Sequence, residues 1–188
     1  DLKRKVMLAT ILGTAQATLT KFPYLRKIWN TNTEEERLLG VSLTGIMDNP
    51  LTNGKKHGLE KTLQQLREVA VETNKEWSAI FGIPQSTAIT CIKPSGTVSQ
   101  LVDSSSGIHP RHSSYYIRTV RGDNKDPLTN FMVDSGIPNE ADFMKPDTQT
   151  VFSFPMKSPK NSVMRNDMTA IEQLEMWLLY QRHWCEHK

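Results

Sequence analysis

From Leu59 to Phe81 the apolar side chains recur at Leu59, Leu63, Leu66, Val69, Ala70, Thr73, Trp77, Ile80 and Phe81, and Gly82 follows directly. Spacings of three and four place these residues on one face of a helix. Glycine is the residue that most easily takes the left-handed conformation in which helices end. The pattern predicts a helix over 59–81 with a core-facing stripe and a charged outer face. Such a stripe must be covered, so the rest of the chain has to supply apolar surface.

The remaining patterns mix both periods. Leu2, Val6, Leu8, Ile11, Leu12, Ala15 and Leu19 follow a helical spacing over 2–19. Residues 24–29 read as a short helical piece carrying aromatic core residues. Thr33 before Glu34, Glu35 and Glu36 reads as a helix start, since a hydroxyl cap and acids in the first turn satisfy free amides and the dipole. Residues 38–43 are a buried strand or a tightly packed helix, which periodicity does not decide. Asp48-Asn49-Pro50 and Asn53-Gly54 are turn chemistry. Residues 87–92, 115–120 and 148–154 are rich in β-formers and read as strands. Asp126-Pro127 opens a short helix that Gly136 ends, and 169–187 reads as an amphipathic helix with Ile171, Leu174, Trp177, Leu178 and Trp184 on its apolar side. Helices and strands in this order predict an α/β fold.

Composition narrows the function classes. The 188 residues hold no run of about 18 apolar residues that would span a bilayer. With 23 Lys and Arg against 20 Asp and Glu, the net charge of +3 is too balanced to argue for nucleic acid, and no membrane partner is expected. Cys91 and Cys185 are too far apart in sequence to form a disulfide framework, which points to a reducing, cytoplasmic setting. Without an initiator Met, and with an amphipathic stretch running up to Lys188, the chain is expected to be an internal piece of a longer polypeptide.

The chemistry concentrates in Thr87-Ala-Ile-Thr-Cys-Ile-Lys-Pro-Ser-Gly-Thr-Val-Ser-Gln-Leu101, a β-rich run followed by small residues and a short apolar run. A small-residue turn between a strand end and a helix start exposes amides and hydroxyls at the positive end of the helix dipole, which suits a phosphate. Ser95, Gly96, Thr97 and Ser99 would supply the donors, Pro94 would fix the turn entry, and Lys93 would add a point charge. The same residues are also the ordinary vocabulary of turns, so spacing alone leaves an unremarkable strand-to-helix turn open. The stretch matches neither Gly-x-x-x-x-Gly-Lys-Ser/Thr nor Gly-x-Gly-x-x-Gly.

Further motifs supply the context. Lys93-Pro-Ser-Gly-Thr-Val-Ser99, Ser106-Gly-Ile-His-Pro110, Tyr115-Tyr-Ile-Arg118, Arg37-Leu-Leu-Gly-Val-Ser-Leu-Thr-Gly-Ile-Met-Asp48 and His183-Trp-Cys-Glu-His187 closely resemble the adenosylcobalamin-dependent (class II) ribonucleotide reductases, especially the monomeric ribonucleoside-triphosphate reductase type. The five motifs are collinear and cover most of the chain. The resemblance implies part of a ten-stranded α/β barrel, with residues 1–188 as a single partial domain from its C-terminal part. It also implies adenosylcobalamin as cofactor, a ribonucleoside triphosphate substrate and a thioredoxin-like dithiol reductant. In that family a cysteine thiyl radical, made by cobalt–carbon homolysis, abstracts the ribose 3′ hydrogen; the 2′ hydroxyl is lost and two further cysteines are the reductant. The loop matching Pro94, Ser95, Gly96, Thr97, Val98 and Ser99 holds the substrate phosphates.

The departures are equally informative. The radical cysteine's finger loop would precede residue 1, and the swivelling cysteine pair would follow residue 188. Neither Cys91 nor Cys185 stands in a matching motif, so no catalytic residue is expected here and Cys91 reads as a buried apolar residue.

His109, Arg111 and His112 border the nucleotide or cobalamin face on this resemblance; by themselves they are a weak metal set and no metal site is expected. His183 and His187 stand one turn apart, but a terminal helix carrying Trp184 into the core is the stronger reading. Arg118 and Arg121 read as the solvent side of their strand. The rival function is a non-catalytic nucleotide-binding or regulatory module that keeps the phosphate loop, and a third reading is a structural fragment whose turn binds nothing.

Overall fold

The computed structural model describes residues 1–93 and 95–187. Along them run α1 (Leu2–Gln16), α2 (Lys27–Glu36), β1 (Val41–Ser42), α3 (Leu59–Phe81), β2 (Thr90–Cys91), β3 (Tyr115–Asp123), α4 (Pro127–Asp134), β4 (Asn139–Ala141), β5 (Gln149–Lys157) and α5 (Ala170–His183), with short 3-10 turns at 46–48, 98–102 and 165–167. The chain divides into two units, residues 1–111 with 161–187 and residues 112–160.

In the first unit α3 forms over the predicted residues, and Gly82 ends it at φ 65° with its amide on the carbonyl of Ala79. Leu59, Leu63, Leu66 and Ala70 are buried in the core with Val6, Leu39, Val41, Ile46, Met47 and Ile89. Against α3 lies α1, which ends at Gln16 rather than 19 and whose fully buried residues are Val6, Thr10 and Thr14; Leu2 is partly covered, while Leu12, and Leu19 beyond the helix, are both 71% exposed. The threonines are tolerated there because each hydroxyl donates to the carbonyl four residues back, Thr10 to Val6 and Thr14 to Thr10, both at 2.8 Å. Asn74 on α3 then donates to the Thr14 hydroxyl and to the Ser86 hydroxyl, and its carbonyl accepts the Ser86 amide.

Three local expectations are corrected. The helix near Thr33 begins earlier, at Lys27, so Glu34, Glu35 and Glu36 fall in its last turn. Arg37, at φ 46°, closes it by donating its amide to the Thr33 carbonyl and its Nε to the Glu34 carbonyl. Tyr24 and Trp29 are 98% and 53% exposed and are not core residues. Of the expected apolar side of α5, Trp184 just past its end is buried, but Ile171, Leu174, Trp177 and Leu178 are exposed; Tyr180, four before Trp184, is buried with it, and Met176 is partly covered. Thr169 caps α5 by accepting the Glu172 amide.

The stretch 87–92 pairs as a strand only at Thr90–Cys91, in parallel with Val41–Ser42. Its other flank is sealed by residues 184–187 instead of a third strand. The Glu186 carboxylate accepts the Ile89 and Thr90 amides at 2.9 and 3.2 Å, the Trp184 indole donates to the Cys91 carbonyl, and the His187 Nε2 lies 2.7 Å from the Leu39 carbonyl. The motif at 183–187 is thus a plug on the β1–β2 pair. His183 faces Gln64 and Glu60 of α3 rather than His187, and no metal-binding cluster occurs among the described residues.

The second unit is a three-stranded antiparallel sheet ordered β3-β5-β4, with Tyr115 opposite Lys157 and Asp123 opposite Gln149. Phe152 is its buried centre, and α4 starts at Asp126, whose carboxylate accepts the Leu128 amide. The polar, exposed β4 carries no alternating pattern and was not legible as a strand. Arg118 stacks over the Tyr116 ring, and Arg121 pairs with Asp142, so neither is merely a solvated edge. Among the described residues no helix is long and apolar enough to cross a membrane.

Candidate functional site

The turn after β2 carries Lys93, Ser95, Gly96 and Thr97 into a 3-10 turn at Val98–Val102; Pro94 lies outside the described residues. The expected helix here is a single five-residue 3-10 segment without a side-chain cap, so a helix dipole contributes little. Hydroxyls carry the site instead. Ser99 is fully buried and donates to Ser95 Oγ at 2.5 Å; Thr44 Oγ1 lies 2.6 Å from Ser99 Oγ and 3.2 Å from Ser95 Oγ; Ser106 Oγ lies 3.1 Å from Ser95 Oγ. Thr44 Oγ1 also accepts the Gly107 amide at 3.0 Å and lies 3.2 Å from the Ser105 carbonyl. One threonine therefore joins the chain after β1, the turn after β2 and the 105–107 loop.

Glycines make these approaches possible at two positions. Gly96 sits at φ 48° with open space where a Cβ would stand. Gly107 sits at φ 53°, and a Cβ there would come within 3.1 Å of the Lys93 carbonyl. The hydroxyl cluster opens onto a cleft of about 560 Å³, whose walls are α1 (Ala9, Leu12, Gly13, Gln16) on one side and Gly40, Ser42, Thr44, Lys93, Ser95 and Val98 on the other.

Behind the cluster lies a buried ion pair. Arg111 is 3% exposed; its Nε and Nη2 donate to the two Asp48 carboxylate oxygens at 2.9 and 2.8 Å, and its Nη1 and Nη2 reach the Asp103 carboxylate and carbonyl. Asp48 further accepts the Ser105 amide at 2.7 Å and the Ser162 hydroxyl at 3.0 Å. Burial pushes the Asp48 carboxyl up, but Arg111, the Ser105 amide and the Ser162 hydroxyl outweigh it and hold it below the usual carboxylate range. Through Ser105, whose carbonyl accepts the Gly45 amide and meets Thr44, the pair fixes the backbone beneath the hydroxyls.

Of the residues singled out in the sequence, Ser95 and Ser99 come together, with Gly96, Thr97 and Val98 exposed along the same turn. Arg111 does not face a ligand surface, being sealed between Asp48 and Asp103. His109 is exposed beside the Ser106 carbonyl, and His112 belongs to the second unit, where its ring meets Tyr116 edge-on. Sequence reasoning missed Thr44, Asp48, Asp103 and Ser105 as site builders. Thr44 and Asp48 stand in the motif Arg37–Asp48, where the hydroxyl-bearing run Ser42-Leu-Thr-Gly45 before a turn is the local signal. Burial raises both thiols, Cys91 despite the pull of Lys93 and Cys185 to about 11, with neighbouring Cys91 adding to the rise and the Ile92 amide opposing it. Neither cysteine is a ready thiolate at neutral pH.

Comparison with known proteins gives a consistent result. The adenosylcobalamin-dependent ribonucleoside-triphosphate reductase of Euglena gracilis is 28% identical over 188 residues, covering all of this chain and 25% of that protein. The enzyme of that name from Lactobacillus leichmannii is 26% identical over 90% of the chain and 26% of its own length. A Dictyostelium discoideum protein described as a probable enzyme of this type is 31% identical over 90% of the chain and 22% of its own length. No family model matches the chain. A crystal structure of a B12-dependent (class II) ribonucleotide reductase superposes on 99% of the chain and 29% of its own, with a TM-score of 0.82 and 25% identity. The chain spans about a quarter of the length of the curated relatives it matches. In sequence and in fold, it is a relative of the adenosylcobalamin-dependent, class II ribonucleotide reductases, corresponding to one contiguous part of such a protein.

Proposed function

We propose that this chain is part of the catalytic barrel of a ribonucleoside-triphosphate reductase and that its turn at Ser95, Gly96, Thr97, Val98 and Ser99, with Pro94 before it, holds the substrate phosphates. The observation that carries this is the cleft itself. A cluster of four hydroxyls, with Ser99 buried at its base, meets glycine-permitted backbone at one wall, and no carboxylate is among the described residues that line the opening. Such a surface offers donors to phosphate oxygens without repelling them.

In the whole reaction the ribose 2′ hydroxyl leaves as water while two thiols become a disulfide, and a thioredoxin-like dithiol resets them. Adenosylcobalamin, when bound, would supply the radical that starts the sequence. The hydroxyl cluster supports the phosphate end of such a site, while the Arg111 side chain is held by Asp48 and Asp103. The task of this chain is to bind and orient the substrate in a reducing, cytoplasmic setting, while the radical and reducing cysteines lie elsewhere in the protein.

The test is reduction of a ribonucleoside triphosphate by the full-length protein with and without adenosylcobalamin and a dithiol. Deoxyribonucleotide formed only with both is the expected result. Triphosphate binding by a folded protein that makes no product would replace this reading with a non-catalytic nucleotide-binding module. A second measurement concerns Cys91: it stands on β2 in no motif that matches a radical or reducing cysteine, so Cys91→Ser in the full-length protein is expected to keep turnover within about twofold, a change of less than 0.5 kcal/mol in barrier. Loss of activity with normal folding would overturn that assignment.

A further inference from the structure

Among the described residues lining the cleft Lys93 is the single ionisable one, and its side chain occupies an unusual place. Its Cε and Nζ lie 2.5 and 2.6 Å from the point where a Cβ on Gly40 would stand. Gly40 has no left-handed backbone that would itself require glycine. The missing side chain at 40 is therefore used by Lys93, which crosses the strand end through the gap. The lysine backbone is fixed on both sides: its amide donates to Ser42 Oγ at 3.0 Å, and its carbonyl lies against Gly107.

We propose that Lys93 is the cationic arm that recognises the anionic part of the substrate in this cleft, and that Gly40 is the position that sets where that arm lies. The inference rests on reading the cleft as a phosphate site. An ammonium beside a hydroxyl cluster, in an opening with no carboxylate, favours a polyphosphate over an uncharged or diol ligand. Because the atoms that would meet a Cβ at 40 are the far end of a flexible side chain, alanine there displaces the ammonium without disturbing the core.

The experiment measures KM and kcat for ribonucleoside triphosphate reduction in the full-length protein, with inorganic tripolyphosphate as a competing ligand. Lys93→Met is expected to raise KM and the tripolyphosphate inhibition constant about tenfold, the scale of one charge-assisted hydrogen bond, with the loss concentrated in KM. Lys93→Arg is expected to recover part of it. Gly40→Ala is expected to melt as the parent does yet raise KM in the same direction, and Gly40→Ala with Lys93→Met is expected to be no worse than Lys93→Met alone, because both remove one interaction. Additive losses would overturn the role of Gly40. Unchanged KM in Lys93→Met while Ser95→Ala weakens binding would overturn the lysine and leave the phosphate cleft standing; unchanged KM in both would remove the cleft reading itself.

Discussion

Asp48→Ala is expected to lower the unfolding free energy by about 3–5 kcal/mol, because it leaves the Arg111 guanidinium buried and stripped of its bidentate carboxylate. The loss is larger than for a surface pair since Asp48 serves four partners: two guanidinium nitrogens, the Ser105 amide and the Ser162 hydroxyl. Asp103 cannot take over, as it meets Arg111 from the far side with its side chain 62% exposed. The midpoint of urea unfolding of the full-length protein, followed by a signal from the first unit, is the measurement. A midpoint equal to the parent's would mean that the pair is not the clamp described.

The same carboxylate gives the unfolding a pH signature. Its folded pKa is depressed, so the stabilisation is complete above the ordinary carboxylate range and is lost as pH falls through the folded value. Stability is thus expected to fall below about pH 4, and Asp48→Asn, which cannot titrate, is expected to lack that part of the decline. An identical acid profile in the two proteins would remove Asp48 from the account.

How far the sequence foretold this depends on the range over which each signal acts. Helix α3 was legible to its last residue because its stripe and Gly82 are local statements, and α4 was legible because Asp126-Pro127 and Gly136 mark both ends. The face on which α5 buries was not. The spacing correctly puts Trp184 in the core, but it sets Ile171, Leu174 and Leu178 beside it in place of Tyr180, and only contact with α3, Thr52 and Cys91 decides which residues are covered. The turn proposed for the phosphates stands out by its residue types, yet the reason first given, a helix dipole, gives way to a hydroxyl cluster over a 3-10 turn. Thr44 and Asp48 stand more than 50 residues from the groups they organise; no periodicity links position 44 to 95, 99 and 107. Arg111 shows the converse case, a residue whose type suits a ligand face but whose surroundings make it an internal tie.

Gly96→Val is expected to weaken the triphosphate substrate about 10–100-fold, the loss of one charge-assisted contact or more, while the protein remains folded. At φ 48° a Cβ at this position meets nothing within 4 Å, so the new side chain does not collide with the protein; it fills the space in front of the hydroxyl turn. Valine also strains the backbone, by about 1–2 kcal/mol for a left-handed residue with a Cβ, and strain alone would misplace the turn. Asparagine separates the two effects, because it tolerates the left-handed region while still adding bulk. If the space belongs to the phosphates, Gly96→Asn and Gly96→Val both raise KM, and Ser95→Ala raises it less. If the turn is only structural, asparagine behaves as glycine does and only valine shows a defect, visible in the melting temperature as much as in KM. Steady-state kinetics of the full-length protein together with thermal melting of the same variants decides the matter, and a parent-like KM in a well-folded Gly96→Asn variant would take the substrate phosphates away from this turn.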